Sequence, residues 1–533
     1  MPVDTMPQLG RSPCDEGVIL SGTPAAGCSE RSQRWTLVAA ILGSSLAFID
    51  GTVVNVALPA IQHQLNANTS DAQWVMESYA LFLASLLLVG GVLGDRFGRK
   101  RVFMIGTALF TLASIACALS TAVGPLIASR AVQGIGAALL VPGSLALISA
   151  TYPPSKRGAA IGTWSAFSGI TAAIGPVIGG FLVDHYSWTW AFLVNAPVGA
   201  LLLAICAATV PESKGDTQTG TIDVSGAALV TVGLAGLVFA FIEAPSRGWM
   251  ATPIWTSIVI GGLALSLFVY VETRTASPML PLKLFCERNF SGANLLTLLL
   301  YAALGGSLFF VPLNLIQVQG YAATEAGAAL LPFIAIMFVM SRWAGSLVDR
   351  FGSKLPLTVG PLIAALGFAL FALPTVQGSY WTSFFPAMCV LGLGMSITVA
   401  PLTTTVMNVV GKELAGTASG INNAVSRTAG LLAIALFGIV LTLAFNATLD
   451  NELARLGAPS GLVAAVVAQR QKLAGIVMPD GYPSEAIAAL RRAVGMAFVS
   501  GFRWVMLISA ALALLSSASA AVMIQGKPGE PSR

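Results

Sequence analysis

The sequence predicts an all-α protein that crosses a membrane many times. Three observations carry this. Of 533 residues, 56% are hydrophobic and 10% are charged, against roughly 25% charged in an average soluble domain. Mean hydropathy is +0.81. The apolar residues come in runs of about 20, the length that spans a hydrocarbon core. A soluble enzyme is excluded by the shortage of polar surface. A disordered chain is excluded because the sequence is apolar and nearly charge-balanced. The net charge of +5 is no nucleic-acid signal, because the basic residues sit in short clusters between apolar runs.

Fourteen runs qualify as spans: 35–58, 74–94, 102–120, 124–150, 158–183, 187–210, 223–243, 254–273, 290–318, 325–348, 355–374, 380–401, 414–445 and 496–524. Those at 124–150, 290–318 and 414–445 are long enough to tilt or project. The expected organisation is a tail at 1–34, a six-helix bundle at 35–210, a linker with two further spans at 211–289, a second six-helix bundle at 290–524 and a tail at 525–533. Within the second bundle, 446–495 is a long loop. Helical periodicity at 451–472 and 484–493 predicts two short helices lying on the surface.

An even number of spans puts both termini on one side. That side carries 18 of the 28 Lys and Arg residues, and the other side six. Loops richer in Lys and Arg stay in the cytoplasm, so both termini are expected there. Cys117, Cys206 and Cys389 fall in spans, and Cys14, Cys28 and Cys286 in cytoplasmic segments, with no disulfide framework visible. Residues 1–34 lack an apolar stretch, so no cleaved signal peptide is expected.

One repeat organises the chain. Gly91-Val-Leu-Gly-Asp95-Arg96-Phe97-Gly98-Arg99-Lys100 returns 254 residues later as Gly345-Ser-Leu-Val-Asp349-Arg350-Phe351-Gly352-Ser-Lys354. The first copy follows span 2 and the second follows span 10. Two six-helix halves with two helices inserted between them satisfy that spacing, and repeated halves around a central site are typical of secondary transporters.

Ionisable residues inside a bilayer usually mark function. Asp50 lies roughly 12 Å from the outer end of its span, and Arg130 roughly 9 Å from the outer end of span 4. The two can meet if the helices adjoin. A buried carboxyl tends to keep its proton and a neighbouring Arg favours its release, so changing their separation would load or unload a proton. A static ion pair is the plainer reading. Glu77 is expected about one turn into span 2, where it is either a second proton site or simply solvated. Arg342 is assigned to the cytoplasmic loops. Arg427, after Asn422-Asn423, is a cavity candidate, and Arg503 a weaker one.

Gly162, Gly175, Pro176, Gly179 and Gly180 lie on span 5. Gly175 and Gly179 share a face and permit close helix contact, while Pro176 removes a backbone hydrogen bond. Arg130-Ala-Val-Gln133-Gly-Ile-Gly136 joins a buried charge to small residues. Asp95 is expected near the start of span 3, where the helix dipole favours an anion. Arg96, Arg99, Lys100 and Arg101 anchor the same loop. The cavity is expected to include Asn55, Gln133, Trp164, Tyr301, Asn422 and Arg427, with Phe167, Phe309, Phe310 and Met337 as adaptable apolar walls. No nucleophile or metal cluster and no phosphate-cradling loop appears, so neither enzyme chemistry nor ATP hydrolysis is expected.

These residues resemble a known family. Gly91 to Phe103 resembles the loop signature of the major facilitator superfamily. Arg130 to Gly136 resembles its helix-4 motif, linked to proton coupling. Gly162 followed by Gly175-Pro176-Val-Ile-Gly179-Gly180 resembles the helix-5 antiporter motif, with Thr171 where a glycine is usual. Asp50-Gly-Thr-Val-Val-Asn55-Val-Ala-Leu-Pro59 resembles the first-helix motif of the fourteen-helix drug:proton antiporters.

The resemblance implies proton-driven efflux of amphipathic small molecules by alternating access, with no cofactor, in a monomer embedded in the cytoplasmic membrane. Asp50, Arg130 and Glu77 would couple protons. Gly91, Asp95, Arg96, Gly98, Arg99, Asp349 and Arg350 would form the conformational loops, with Asp95 latching the two halves. No mid-membrane acid falls in spans 10 and 13, and Glu325 lies only at the mouth of span 10, which disfavours dicationic substrates. One charge crossing 100 mV is worth about 2.3 kcal/mol, enough for a roughly fifty-fold gradient per proton. Export of a single dedicated compound, import by symport, and a non-transporting receptor or scaffold are the alternatives.

Overall fold

Inside a hydrocarbon core every backbone N–H and C=O must be satisfied within the segment, so the apolar runs become helices. The computed structural model describes residues 29–214, 223–275, 278–345, 347–408, 415–457, 459–479 and 481–525. The first half comprises α1 (Glu30–Gln64), α2 (Thr69–Phe97), α3 (Arg99–Ala118), α4 (Val123–Thr151) and α5 (Pro154–His185), then α6 (Trp190–Thr209). The inserted pair is α7 (Val224–Arg247) and α8 (Thr252–Arg274). The second half comprises α9 (Arg288–Leu313), α10 (Ala323–Met340), α11 (Lys354–Leu370), α12 (Phe385–Asn408), α13 (Ala415–Leu456) and α14 (Ser484–Met523).

Thirteen of these are long and apolar enough to cross a membrane; α11, with 17 residues, is the shorter helix. It occupies the place of the expected span 355–374. Counting α11, the start of α1 and the end of α14 lie on one face, the terminal face, and the opposite one is the distal face.

The loop at 446–495 departs from expectation. Its first part is the end of α13, which runs unbroken for 42 residues to Leu456. Its last part, 484–493, is the start of α14, a 40-residue helix, and not a separate surface helix. At about 1.5 Å per residue, each helix reaches roughly 60 Å and projects well past a ~30 Å core. The charged residues that read as a surface helix are these projecting turns. Among the described residues of the loop, Ser460–Ala468 and the 3₁₀ turn Arg470–Gly475 are the helical pieces that stand apart. There Arg470 pairs with Asp450 at 2.9 Å.

The halves are joined toward the distal face. Gln317 donates to Gln62 at 2.9 Å, Lys472 to Asn66 at 2.7 Å, and Gln73 to the Ile434 carbonyl at 2.9 Å. The Asp184 carboxylate of α5 accepts from the Ala323 and Thr324 N–H groups of α10 at 3.0 and 2.7 Å. Two glycines permit this contact, because a Cβ on Gly180 or Gly327 would collide with backbone of the opposite half. Toward the terminal face, α5 faces open space: Gly158, Gly162 and Gly169 have no neighbour near a Cβ position, and Phe167 is 49% exposed. The inserted α7 packs on α8 and lies against both α2 and α13, so it straddles the boundary between the halves.

Candidate functional site

Four helices of the first half bring polar side chains to one dry point. Asp50 of α1, Arg130 and Gln133 of α4, Asn195 of α6 and Ser114 of α3 are each at most 1% exposed. Asp50 Oδ2 accepts from Arg130 Nη1, while Oδ1 accepts from Gln133 at 2.8 Å and Asn195 at 3.2 Å. Arg130 also donates from Nε to the Val75 carbonyl at 2.9 Å and from Nη1 to Gln133 Oε1 at 2.7 Å. Its guanidinium carbon lies 4.3 Å from the centre of the Tyr79 ring. Ser114 accepts from Gln133 and Asn195 and donates to the Phe192 carbonyl. One Arg130 nitrogen, Nη2, has no partner.

Small residues allow the approach. Gly134 and Gly136 of α4 pack directly on the backbones of Tyr79 and Phe110, and Gly90 of α2 packs on Ala138. Asp50 sits near the middle of α1, deeper than the sequence suggested, because the helix continues through Pro59 to Gln64. Neighbouring helices supply the support that tolerates such a proline.

Glu77 is a correction. It is fully buried, two turns into α2, and both carboxylate oxygens lack hydrogen-bond partners. The helix begins at Thr69, capped reciprocally by Asn68 and Asp71, so Glu77 lies a turn deeper than expected and is not solvated. It follows Gln73, which bonds α13 of the second half. Arg427 of α13 is half-buried.

On α5 the expected close packing holds. Cβ atoms on Gly175 and Gly179 would collide with Thr52 and Val53 of α1, whereas Pro176 and Gly180 face α10. Thr171, at the variant position, accepts from Ser45 at 3.3 Å. Gly162 makes no comparable contact.

The loop after α2 also differs from expectation. Asp95 belongs to the last turn of α2 and pairs with Arg99 at 2.8 Å. The anion at the start of α3 is Glu212, whose carboxylate accepts from the N–H groups of Lys100 and Arg101 at 3.0 and 3.1 Å. Gly98 turns the chain between the helices at φ +113°, a conformation other residues rarely adopt. Arg96 lies over its neighbour Phe97 at 5.7 Å, and a Cβ on Gly91 would make ordinary contact with Pro142. In the second copy Arg350 is exposed. The side chains of Arg342 and Asp349 lie outside the described residues, as do Cys14 and Cys28.

The remaining cavity candidates separate. Tyr301, Asn422 and Asn423 line a cavity of about 210 Å³ in the second half, with Thr403, Ser419 and Ser426. Asn422 there bonds Thr297 at 2.7 Å. Asn55 Oδ1 is buried without a partner. Trp164 instead bonds Ser44 at 2.9 Å inside the first half. Phe309 and Phe310 are core residues, stacked edge-on and fully buried, and not cavity walls. Arg503 donates to the Ala372 carbonyl, and Glu325 caps its own helix by accepting from Ala322 N–H.

Asn195 and Ser114 around Asp50, Asp184 between the halves and Glu212 at α3 make contacts that the sequence did not point to.

The profile of the Major Facilitator Superfamily matches residues 40–435. The chain belongs to that superfamily. It is 32% identical over 520 residues to the tetracenomycin C resistance and export protein of Streptomyces glaucescens, covering 97% of this chain and 96% of that one. It is 34% identical over 493 residues to the multidrug resistance protein Stp of Mycobacterium tuberculosis, covering 90% of each. The methylenomycin A resistance protein of Bacillus subtilis is 34% identical, covering 80% of this chain and 91% of that one. A bacterial homologue of the lysosomal transporter Spinster shares the fold at TM-score 0.61 and 19% identity, covering 92% of this chain and 98% of that one. A D-xylose–proton symporter does so at TM-score 0.58 and 14% identity, covering 93% and 99%.

Proposed function

We propose that this superfamily member exports amphipathic small molecules from the cell in exchange for protons, with both termini in the cytoplasm. The observation that carries the reading is Asp50: an acid in mid-membrane, held dry by Arg130, Gln133 and Asn195. A buried pair of this kind is poor evidence of stability, since its desolvation cost can exceed its attraction. It suits a switch. Movement of α1 against α4 and α6 would strip Asp50 of its donors and let it take a proton; their return would expel it. Glu77, buried with no hydrogen-bond donor to either oxygen, would carry a second proton. The machine works as a monomer without a cofactor and draws on the proton gradient alone.

Substrate would enter from the open terminal face and meet the polar cavity around Tyr301 and Asn422, beside Arg427. The relatives support export: several are named for resistance to, or export of, antibiotics. Their names divide between single compounds and multidrug resistance, so a dedicated exporter is the second reading. The test is proton movement in proteoliposomes under an imposed pH gradient, with cationic, neutral and zwitterionic compounds, and Asp50→Asn alongside. Several compounds discharging the gradient through the native protein alone supports the multidrug antiporter. Response to one compound supports the dedicated exporter. Equal response by the variant sinks coupling through Asp50.

A further inference from the structure

The inserted helix α7 closes against the boundary between the halves at one end and leaves it open at the other. Toward the distal face the contact is dry: Leu234, Val238 and Ile242 of α7 pack with Leu81 of α2 and with Leu431 and Ala435 of α13. Two hydrogen bonds secure it, from Trp74 to Glu243 at 3.1 Å and from Ser70 to the Ile242 carbonyl at 3.1 Å. Toward the terminal face the helices part around a cavity of about 390 Å³. Its walls include Leu88 of α2, Val230 of α7, Phe268 of α8 and Val425 of α13, and its floor is Met279 and Leu280 of the linker before α9.

The cavity has almost no hydrogen-bonding capacity to offer. Ser85 donates to the Leu81 carbonyl at 2.8 Å, Ser291 to the Phe285 carbonyl at 2.5 Å, and Asn294 to the Phe290 carbonyl at 2.9 Å. Asn294 Oδ1 is taken by Asn422. An amphipathic ligand needs a few convergent polar groups, and a hydrocarbon chain needs none. On α9 the lining runs from Ser291 to Leu298 and on α13 from Ile421 to Thr428, roughly 10 Å of each helix, which lies within the ~15 Å hydrocarbon layer of one leaflet. At its foot Arg274 at the end of α8, Lys283 of the linker and Arg288 at the start of α9 are exposed, against exposed Glu287 and the buried Glu272, whose carboxylate accepts from the Leu280 N–H of the floor at 3.0 Å. Basic residues at that level attract anionic headgroups.

We propose that this cavity holds one acyl chain of an anionic phospholipid from the terminal-face leaflet, its headgroup on Lys283 and Arg274. The chain touches α2 of one half and α13 of the other. It therefore acts as a wedge that favours the conformation parted on this side, since closing the boundary would expel it.

The test is native mass spectrometry of the whole protein released from mild detergent, titrated with phosphatidylglycerol and with phosphatidylcholine of matched chains. The native protein is expected to hold one lipid tightly and to prefer the anionic headgroup several-fold. Leu234→Trp and Val425→Trp fill the cavity and should each lower retention about tenfold or more, while Leu263→Trp, on the exposed face of α8, should not. Lys283→Gln with Arg274→Gln should keep the lipid and lose the preference. A map of the native protein in nanodiscs with brominated chains should place bromine in the cavity, whatever the variants do. Undiminished retention in both filled variants, no headgroup preference, or a bromine-free cavity overturns the proposal. Displacement of the lipid one-for-one by tetraphenylphosphonium also overturns it, because the cavity would then be a substrate vestibule.

Discussion

Thr324 gives Asp184 both its backbone N–H, at 2.7 Å, and its hydroxyl, at 2.6 Å, so a carboxylate of α5 clasps the first turn of α10 in the opposite half. The carboxylate also complements the positive end of that helix. Hydrogen bonds to a charged group contribute about 1.5–3 kcal/mol each when shielded. Asp184 is exposed and Thr324 half-buried, so the low end of that range applies to the whole clasp. Asp184→Ala is expected to shift the population toward a distal-open form by about tenfold. Spin labels at Tyr186 and Leu373, which are 64% and 68% exposed on the distal face of each half, would report it as a second, longer distance. A single unchanged distance would show that the clasp carries no weight.

Asp50 and Arg130 should behave as one unit. Arg130→Ala leaves a buried carboxylate without its main partner, at a cost of about 3–5 kcal/mol. Combining it with Asp50→Asn removes the stranded charge, so the double variant should melt above Arg130→Ala alone. Thermal unfolding in detergent reads the difference. Additive losses would mean that the two side chains are not coupled.

The fold was legible because long apolar runs, charge asymmetry and the repeat at 91–100 and 345–354 all constrain the same topology. Depth was harder to read. Hydropathy falls away at Gln62-His63-Gln64 while α1 runs on to Gln64, so the span read shorter and Asp50 shallower than it is. The Asn68–Asp71 cap placed the start of α2 earlier than hydropathy does, which is why Glu77 read as a surface group. The Asp50–Arg130 pair was legible as two charges at comparable height on separate spans. Asn195 and Ser114 were not, because small polar residues in apolar runs are common and only the fold aims them at Asp50. The contact of Asp184 with Thr324 spans 140 residues and has no local pattern at all.

Glu77→Gln separates the two proposed proton sites. The amide replaces the acid at equal volume in a pocket that gives the acid no donors, so stability should change by about 1 kcal/mol or less. Proton flux per substrate exported should fall, while Asp50→Asn abolishes coupled transport altogether. Simultaneous measurement of substrate and proton flux in proteoliposomes decides it. An unchanged ratio would make Glu77 a structural acid only.

The loop acid Asp95 should oppose Asp184. In the conformation described here Asp95 bonds Arg99 of its own loop, and the superfamily resemblance assigns it the latch of the opposite conformation. Asp95→Ala is then expected to leave the distal distance single and short, with substrate binding kept and transport reduced. Glu212→Gln acts differently. It removes the charge that caps α3 and should lower stability by about 1 kcal/mol without moving the distance. Because Asp95 and Asp184 bias one equilibrium in opposite directions, the pair Asp95→Ala with Asp184→Ala should regain part of the transport that Asp95→Ala loses. Two latches on one two-state element compensate in this way. Two independent structural defects do not, and transport in the double variant below that of either single one would exclude the latch.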